Sequence, residues 1–594
     1  MNILSVSGKK WILKKYNEEE SSYIKENFFL DEIVSKLISI RNINRADIKS
    51  FLDPLIKNYL PNPEILTDMK KASLRTLTTI ANKEKIGIFG DYDVDGASST
   101  ALLGNFFSYL KIPYEIYIPD RRKEGYGPSI NAFKKLIDNG VQLIFTVDCG
   151  TLSFDAIKYA SQKNIDVIVL DHHQSEVKLP DAYSVINPNR IDDKSNLNYL
   201  CAAGVTFIFL VSLNKELRSN NWFIEKNINE PNLINCLDLV SLGTICDVVP
   251  LVGLNRAIVK QGLKILKLKK NLGLKTLLDL CDINTSPKVY HLGFHLGPRI
   301  NAGGRVGKSS HGANLLLSSN PKDAFKLASE LDIFNKQRQI LENEVYTKIL
   351  NTLKIYSSDP SIIIIGENWH EGVIGIVASK LKDKFNKLVI IIAVEGEIGK
   401  ASARSVSGID IGSLIISATQ EKILIKGGGH KMAGGFSIKT SNIEKFKSFV
   451  NTKIKKNNED FKEAKKLYLD SVIAPSAINL EFYNKVDALA PFGSGNPEPR
   501  FIIEDLKSVN HKIIKEKHIK SILKGKDGST IKCIAFNSLD SEIGAYLLNK
   551  NNKLFNIAGK LSLNEWKGES NVEFIIDDIS VNKANKNEVP SSIG

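Results

Sequence analysis

Short apolar runs alternate with amphipathic stretches from Lys85 to Leu170. Ile86-Gly87-Ile88-Phe89, Tyr114 to Ile118, Leu143 to Val147 and Ile165 to Leu170 read as strands. Between them, Ala97 to Leu110, Ile130 to Asn139 and Phe154 to Gln162 read as helices. Continuous apolar strands separated by helices predict a parallel α/β sheet covered on both faces. Residues 1–70 read as helix and loop, punctuated by Asp53-Pro54 and Pro61-Asn62-Pro63, with no chemistry assigned.

Downstream, Cys236 to Ile245 is an apolar helical segment that ends in Cys246-Asp247-Val248-Val249-Pro250. Residues 320–356 carry a long helical pattern through Leu327, Leu331, Phe334, Val345 and Ile349, which predicts a connector between domains. A second α/β unit follows over 357–455, with strands at Ile362 to Ile365 and Leu388 to Val394. Lys453 to Lys466 reads as a mixed-charge helical linker, and 467–581 as a small β domain, a barrel, with turns at Lys-Asp-Gly and Asn-Glu-Trp-Lys-Gly. Residues 582–594 read as a disordered tail, and 71–319 as the domain built on the first sheet.

The strand ends carry the chemistry. Asp91-Tyr92-Asp93-Val94-Asp95 follows the first strand, Asp148-Cys149-Gly150 a later one, and Asp171-His172-His173 the next. Open α/β sheets bind ligands outside the carboxyl ends of their strands. Crowded carboxylates there repel one another unless cations neutralise them. Hard oxygen donors with one or two imidazoles suit manganese or magnesium better than zinc. Two ions sharing a carboxylate would clamp a phosphoryl centre, and Asp148 is the natural bridge. Asp247, in apolar company, needs a metal or a capping contact, and the sequence favours neither.

Other motifs suggest phosphate contact. The stretch Gly297-Pro298-Arg299-Ile300-Asn301-Ala302-Gly303-Gly304-Arg305 reads as a loop whose arginines, with Arg404, could guide a phosphate backbone. Ordinary structural ion pairs are about as good an account of any one arginine. Gly427-Gly428-Gly429-His430 offers backbone amides free of side chains. Tyr126 is a candidate for base stacking. Gly307-Lys308-Ser309 lacks the upstream glycine of a nucleotide P-loop, and His370-Glu371 lacks the second histidine of a zinc protease.

Composition bounds these readings without choosing among them. The chain has 594 residues, enough for about four domains. Its 80 Lys and Arg against 66 Asp and Glu give a net charge of +14, compatible with a polyanionic partner but also with a Lys-, Asn- and Ile-rich coding bias. Six scattered cysteines without a CxxC pair argue against a disulfide framework or cysteine zinc site and fit a reducing cytosol. No apolar run has transmembrane length, and Met1 to Lys15 lacks a signal peptide's apolar core, so a cytoplasmic location is expected.

Taken together, GDYDVDG, Asp148-Cys149-Gly150, Asp171-His172-His173, the Asp247 segment and the Gly427-to-His430 run resemble, in order, the motifs of the DHH phosphoesterases. GPRINAGGR, WHEGVIGIVASK (Trp369 to Lys380) and PFGSGNPEPRF (Pro491 to Phe501) narrow the resemblance to the single-strand-specific DNA exonucleases of that family, over about Lys85 to Val581. The resemblance implies a parallel-sheet DHH domain, a long connecting helix, a second α/β DHH-associated domain, and an oligonucleotide-binding-fold β-barrel. It implies 5′-to-3′ hydrolysis of single-stranded DNA to 5′-mononucleotides with two manganese or magnesium ions, in recombination and repair. A monomer working with a single-strand-binding protein and a helicase is the family expectation.

Asp93, Asp95, Asp148, His172 and Asp247 would then hold metal, with Asp91 an additional candidate, and His173 would touch the scissile phosphate or its attacking water. Arg299, Arg305, Ser402, Arg404, Gly428, Gly429 and His430 would contact substrate phosphates. Phe89 stands where many DHH proteins carry a metal-ligand histidine, so the first ion would bind weakly, lean on Asp91 or load with substrate. A DHH phosphodiesterase acting on short oligonucleotides or cyclic dinucleotides, and a binding protein of this fold without catalysis, are the alternatives.

Overall fold

A computed structural model describes residues 3–121, 123–352, 361–456, 466–549, 554–566 and 569–581. The expected tail at 582–594, most of the expected linker at 453–466 and the last turn of the expected connector lie outside the described residues.

The first sheet has five parallel strands in spatial order Tyr114–Tyr117, Ile86–Gly90, Leu143–Val147, Asp166–Leu170 and Ser184–Ile186. The order in the chain is therefore 2-1-3-4-5. The direction of winding reverses between Ile86–Gly90 and Leu143–Val147, and the crevice at such a switch point is where this architecture binds ligands. Alternate residues of the central strands feed opposite cores, Ile86 and Ile88 into one, Phe89 and Ile144 into the other. Phe89 is fully buried, stacked on Tyr117 and edge-on to Phe133. It is a packing residue of the core shared with Phe133 and Ile144.

The connecting helix runs over Pro321–Thr352. Beyond it stands a five-stranded mixed sheet, in order Lys426–His430, Ala433–Lys439, Ile398–Arg404, Leu388–Glu395 and Ser361–Glu367. Only the last pair is parallel. Phe501–Ile514, His518–Lys524, Thr530–Ala535, Glu569–Val581 and Phe555–Trp566 pair in that sequence, and the last returns to the first, closing a five-stranded barrel.

The N-terminal stretch departs from its helix-and-loop reading. Ile3–Leu4 and Lys10–Leu13 are strands, and Lys10–Leu13 pairs in parallel with Lys466–Leu469 at the far end of the chain. Buried Trp11 anchors the pairing by donating its indole N–H to Asp578 Oδ2 at 3.0 Å. Helices Glu18–Phe28, Glu32–Ile40 and Ile48–Leu52 bury Ile24, Val34, Leu37, Ile38 and Phe51 in the same core as the barrel residues Phe501, Ile519 and Phe574. Four residues of strand separated from their partner by most of the sequence leave too short a pattern for periodicity to reveal.

Candidate metal centre and phosphate groove

The loops after three neighbouring strands converge at the switch point. The helix after Ile86–Gly90 starts at Val94, earlier than its apolar pattern suggests, because Asp93 is its N-cap: Oδ1 accepts from Gly96 N–H at 3.0 Å. Asp95 therefore lies in the first turn. Its two oxygens accept from Ala202 N–H (2.6 Å) and Ala203 N–H (2.9 Å), at the amino end of helix Ala202–Ser219. Asp148 takes a left-handed conformation, φ +61°. Asp247 stands at the carboxyl end of helix Leu237–Cys246, with its backbone N–H on the Gly243 carbonyl, and its carboxylate faces His172.

His172 Nε2 is the focus of the set. It lies 3.3 Å from Asp148 Oδ1, 3.6 Å from Asp247 Oδ2 and 3.9 Å from Asp95 Oδ2. It is buried and makes no hydrogen bond, and neither does Asp91 Oδ1. A buried nitrogen ringed by carboxylates but bonded to none suits an ion that draws all four inward to bonds of about 2.0–2.2 Å. Asp91, Asp93 and Asp148 form a second group, each offering an oxygen within 4.8 Å of the others. Asp148 belongs to both constellations. Asp91 is thus placed to offer an oxygen where Phe89 offers no ligand atom.

The protonation equilibria report the same crowding. Burial, then the charge of Asp93, pushes the Asp91 carboxyl well above its ordinary range. Burial followed by Asp93, Asp95, Asp91 and Asp247 does so for Asp148. Asp95 is raised by burial and Asp93 despite His172, and Asp247 is raised to about 8 by burial, Asp95 and Asp93. Without a cation these groups resist ionising; with one they become strong ligands.

Asp171 works differently. Its Oδ1 accepts from the backbone N–H of His172 (2.8 Å) and of His173 (3.2 Å) and pairs with His173 Nδ1 at 2.8 Å, while Oδ2 accepts from Thr151 N–H at 3.0 Å. Burial opposes ionisation, but the bonds from His173 and Thr151 outweigh it and hold the carboxyl below its usual range. Burial would lower His173, yet the Asp171 bond and charge raise it to about 9. Tyr126 donates to the Asp148 carbonyl at 2.9 Å and sets its ring edge against His173. Tyr126 is thus a strut of the centre, a contact its reading as a base-stacking residue did not include.

Arginines collect beside the acids. A groove of about 760 Å³ is lined by Arg121, Arg305, Ser402, Arg404, Lys426 and Gly427–Gly429. Among the described residues no carboxylate pairs with Arg121, Arg305 or Arg404. Burial, then Arg121 and Arg338, lowers Arg305 to about 10; burial and Arg121 lower Arg404. Arg404 Nη1 donates to Ser402 Oγ at 3.2 Å. Arg305 Nη1 donates to the Gly372 carbonyl at 3.1 Å, fastening the second domain's helix Glu371–Phe385 to the first.

Several expectations change here. GPRINAGGR is no loop but part of helix Gly297–Val306, which follows a π-helical turn at Leu292–Leu296. Its glycines allow close approach: a Cβ on Gly304 would lie 3.0 Å from the Tyr92 carbonyl. Arg299 does not face the groove. It pairs with Asp332 of the connecting helix at 2.9 Å and donates to the His295 carbonyl. Gly427 to His430 form an exposed edge strand, with Gly428 open to solvent; His430 ends that strand outside the groove lining. Arg121, absent from the expected set, follows the strand Tyr114–Tyr117 and lies over the Tyr92 ring at 5.2 Å.

Fold and site together define a phosphoesterase of the DHH class. Residues 85–244 match the DHH family, N-terminal domain, residues 358–456 the DHHA1 domain, and residues 469–578 the RecJ OB domain. The single-stranded-DNA-specific exonuclease RecJ of Salmonella typhimurium is 34% identical over 93% of this chain and 96% of its own length. Crystal structures of RecJ from Thermus thermophilus in complex with Mn2+ (TM-score 0.80, 26% identity, 96% of this chain and 80% of that one) and with Mg2+ (0.74, 25%, 96% and 78%) share the architecture. The chain belongs to the RecJ family of DHH exonucleases.

Proposed function

We propose that this protein hydrolyses single-stranded DNA from its 5′ end to 5′-mononucleotides, using manganese or magnesium, in recombination and repair. The observation that carries the reading is the juxtaposition of His172 Nε2, which has no hydrogen bond inside its ring of carboxylates, with a groove whose three arginines form no ion pair with a described carboxylate. One face calls for cations and the adjoining face for an anion, a pairing that a phosphodiester substrate with divalent ions would satisfy.

Asp93, Asp95, Asp148, His172 and Asp247, with Asp91, would hold the ions, which when bound supply an activated water and neutralise charge at phosphorus. Around that event the chain's own groups have separable tasks. Arg121, Arg305 and Arg404 grip phosphate oxygens and fix the strand's register. Asp171 keeps His173 protonated and oriented, so the imidazolium can donate to a phosphate oxygen as charge builds. The helix amino end beneath Asp95 fixes that carboxylate. The exposed glycine strand offers backbone N–H groups to a passing backbone, with His430 at its end.

The proposal includes a monomeric cytoplasmic enzyme, supplied with unwound strand by a helicase and a single-strand-binding protein. Among the described residues no helix is long and apolar enough to cross a membrane. Single-stranded DNA labelled at the 5′ end, incubated with manganese, should give labelled mononucleotides while a blunt duplex is spared. Hydrolysis of dinucleotides without attack on long strands would overturn this in favour of a short-oligonucleotide phosphodiesterase.

A further inference from the structure

The strand Ser184–Ile186 ends at the same edge of the first sheet as the strands that deliver the acids and histidines, yet it delivers no ligand of the ring. Its end reads Asn187-Pro188-Asn189. Asn187 is fully buried, and its amide is engaged at both ends. Nδ2 donates to Thr151 Oγ1 at 2.9 Å and to the His173 carbonyl at 2.8 Å, while Oδ1 accepts from the Asn189 N–H at 2.8 Å. That last bond fixes which end of the amide is which, since a backbone N–H can only donate. Asn189 carries the contact further by donating its own amide N–H to the His172 carbonyl.

Two loops meet on this one side chain. Thr151 lies three residues after Asp148, is itself buried, and donates its backbone N–H to Asp171 Oδ2 at 3.0 Å. Asn187 therefore ties the Asp148 loop to the turn that carries His172 and His173. Of the carboxylates around His172 Nε2, that of Asp148 is the nearest, at 3.3 Å. The Asp148 loop needs an outside tie. Asp148 holds a left-handed backbone, φ +61°, a conformation uncommon outside glycine that persists where neighbouring bonds determine it. An asparagine that merely closed its own turn would bond within that turn; this one directs both donors to other strand ends.

We propose that Asn187 is a positioning residue of the metal centre. It fixes the separation of Asp148 from His172 and, through Asn189, the pose of the His172–His173 turn, and so sets how tightly the divalent ions are held. The inference rests on the reading of the carboxylate ring as a manganese or magnesium site and adds the residue that spaces its ligands. The bonds of Asn187 go to a hydroxyl and to backbone, so it acts on the ligands only through the chain that carries them. An ion needs donors from both loops at one spacing. Loops free to drift apart would have to be ordered by the ion itself, which weakens its binding.

The full chain, stripped of metal, is titrated with Mn2+ by calorimetry, and melts are recorded in chelator and in Mn2+. Asn187→Ala should raise the Mn2+ dissociation constant roughly 10- to 100-fold, the loss for a disturbed group that orients metal ligands. Its gain in melting temperature at one fixed Mn2+ concentration should shrink accordingly. Thr151→Val, which removes only the hydroxyl that Asn187 reaches, should weaken Mn2+ binding by less, and Thr151→Ser should retain wild-type affinity. Thr151→Val placed on Asn187→Ala should add no further loss, because their bond is already gone. An Asn187→Ala protein that melts lower in chelator but keeps wild-type Mn2+ affinity would make Asn187 a support of the fold and overturn the proposal, as would additive losses in the double variant. Should Asn187→Ala not fold, the Thr151 pair decides: wild-type affinity in Thr151→Val overturns the proposal, and a loss restored by Thr151→Ser upholds it. If wild type itself takes up no Mn2+, the metal-centre reading fails; if wild type and variants bind Mn2+ equally, only the role of Asn187 fails.

Discussion

Two places in this molecule bury charge, and they solve the problem in opposite ways. Arg256, only 2% exposed, pairs with no carboxylate among the described residues, yet each of its three guanidinium nitrogens donates to a carbonyl. Nε donates to the Phe51 carbonyl (3.0 Å), Nη2 to those of Leu489 (2.9 Å) and Ala490 (3.0 Å), and Nη1 to that of Pro491 (3.3 Å), with the Phe51 ring 4.0 Å from the guanidinium carbon. Lys260 adds a bond to the Leu52 carbonyl at 2.7 Å. One cation thus ties the N-terminal helices and the segment before the barrel to the catalytic domain. The carboxylate ring has the opposite character, since His172 Nε2 and Asp91 Oδ1 have no hydrogen-bond partner among the described residues. Both places shift pKa values, with Arg256 lowered by burial to about 10. A perturbed pKa alone therefore does not mark a functional site. The distinguishing property is whether the chain itself satisfies the buried polar atoms.

The sharpest break of that contrast is Asp148→Ala. Removing the carboxylate common to both ligand groups should lower single-strand cleavage on the order of a thousandfold or more, the scale of losing a transition-state stabilising group. In chelator the variant should melt no lower than wild type, because one of several repelling acids has gone. Initial rates and thermal melts measure the two effects. Full activity, or a large loss of metal-free stability, would show that the ring holds the fold together rather than metal.

Arg256→Ala should reverse the pattern. Four carbonyls lose their donor, which costs about 3 kcal/mol or more if only some find water. A lower urea midpoint is expected, with the cleavage rate per folded molecule kept within about tenfold of wild type, since Arg256 touches no group of the ring. A stable but inactive variant would assign Arg256 to the chemistry instead.

The sequence legibly placed the acids and mislaid several bases, for physical reasons. A parallel strand is a continuous apolar run, so its carboxyl end is visible and the residues after it can be read together; Asp93, Asp95, Asp148 and His172 emerged in that way. Spatial strand order is not written in the periodicity, and only the structure shows that the first and third strands flank the switch point. Arg121 could have been found by extending the strand-end rule to Tyr114–Tyr117, which it follows directly enough to reach the same edge of the sheet. Arg299 and Arg305 share one motif, yet a helix sends one to Asp332 and the other to the groove. Glycine was the most misleading signal. In GPRINAGGR, which reads as a loop, it permits a helix to contact Tyr92, and in Gly427–Gly429, which reads as a surface of bare amides, it belongs to an edge strand.

Metal should turn the ring from liability to asset, and pH should show it. In the metal-free protein the carboxyls of Asp91, Asp95, Asp148 and Asp247 bind protons more tightly folded than unfolded, and so does His173. For each, stability is fully present below the unfolded pKa and is lost as pH rises through the folded one, up to about 8 for Asp247 and about 9 for His173. Asp171 opposes this only in strong acid. Melting temperature in chelator should therefore fall between pH 5 and pH 9, by the scale set in the linkage relation. Manganese held at one concentration, about a hundred times its dissociation constant at pH 7, should restore about 2.7 kcal/mol there, with the gain growing as pH rises and the ion binds more tightly. A gain independent of pH would mean that the ion binds elsewhere.

The mildest test leaves every ligand in place. Gly243, in helix Leu237–Cys246, sits where a Cβ would lie 2.5 Å from Asp95 Oδ1 and 2.8 Å from the Ala203 methyl. Gly243→Ala gains about 0.5–1 kcal/mol of helix preference but must push the Asp95 carboxylate off the Ala202 and Ala203 amides that hold it. These effects offset in stability, so the melt should barely move. Geometry has no such compensation. The manganese concentration for half-maximal activity should rise about tenfold, the loss seen when a group orienting a metal ligand is disturbed, with the rate at saturating metal within a few-fold of wild type. An unchanged manganese requirement would show that the ring tolerates a displaced carboxylate, and that the helix end beneath Asp95 serves packing rather than the ion.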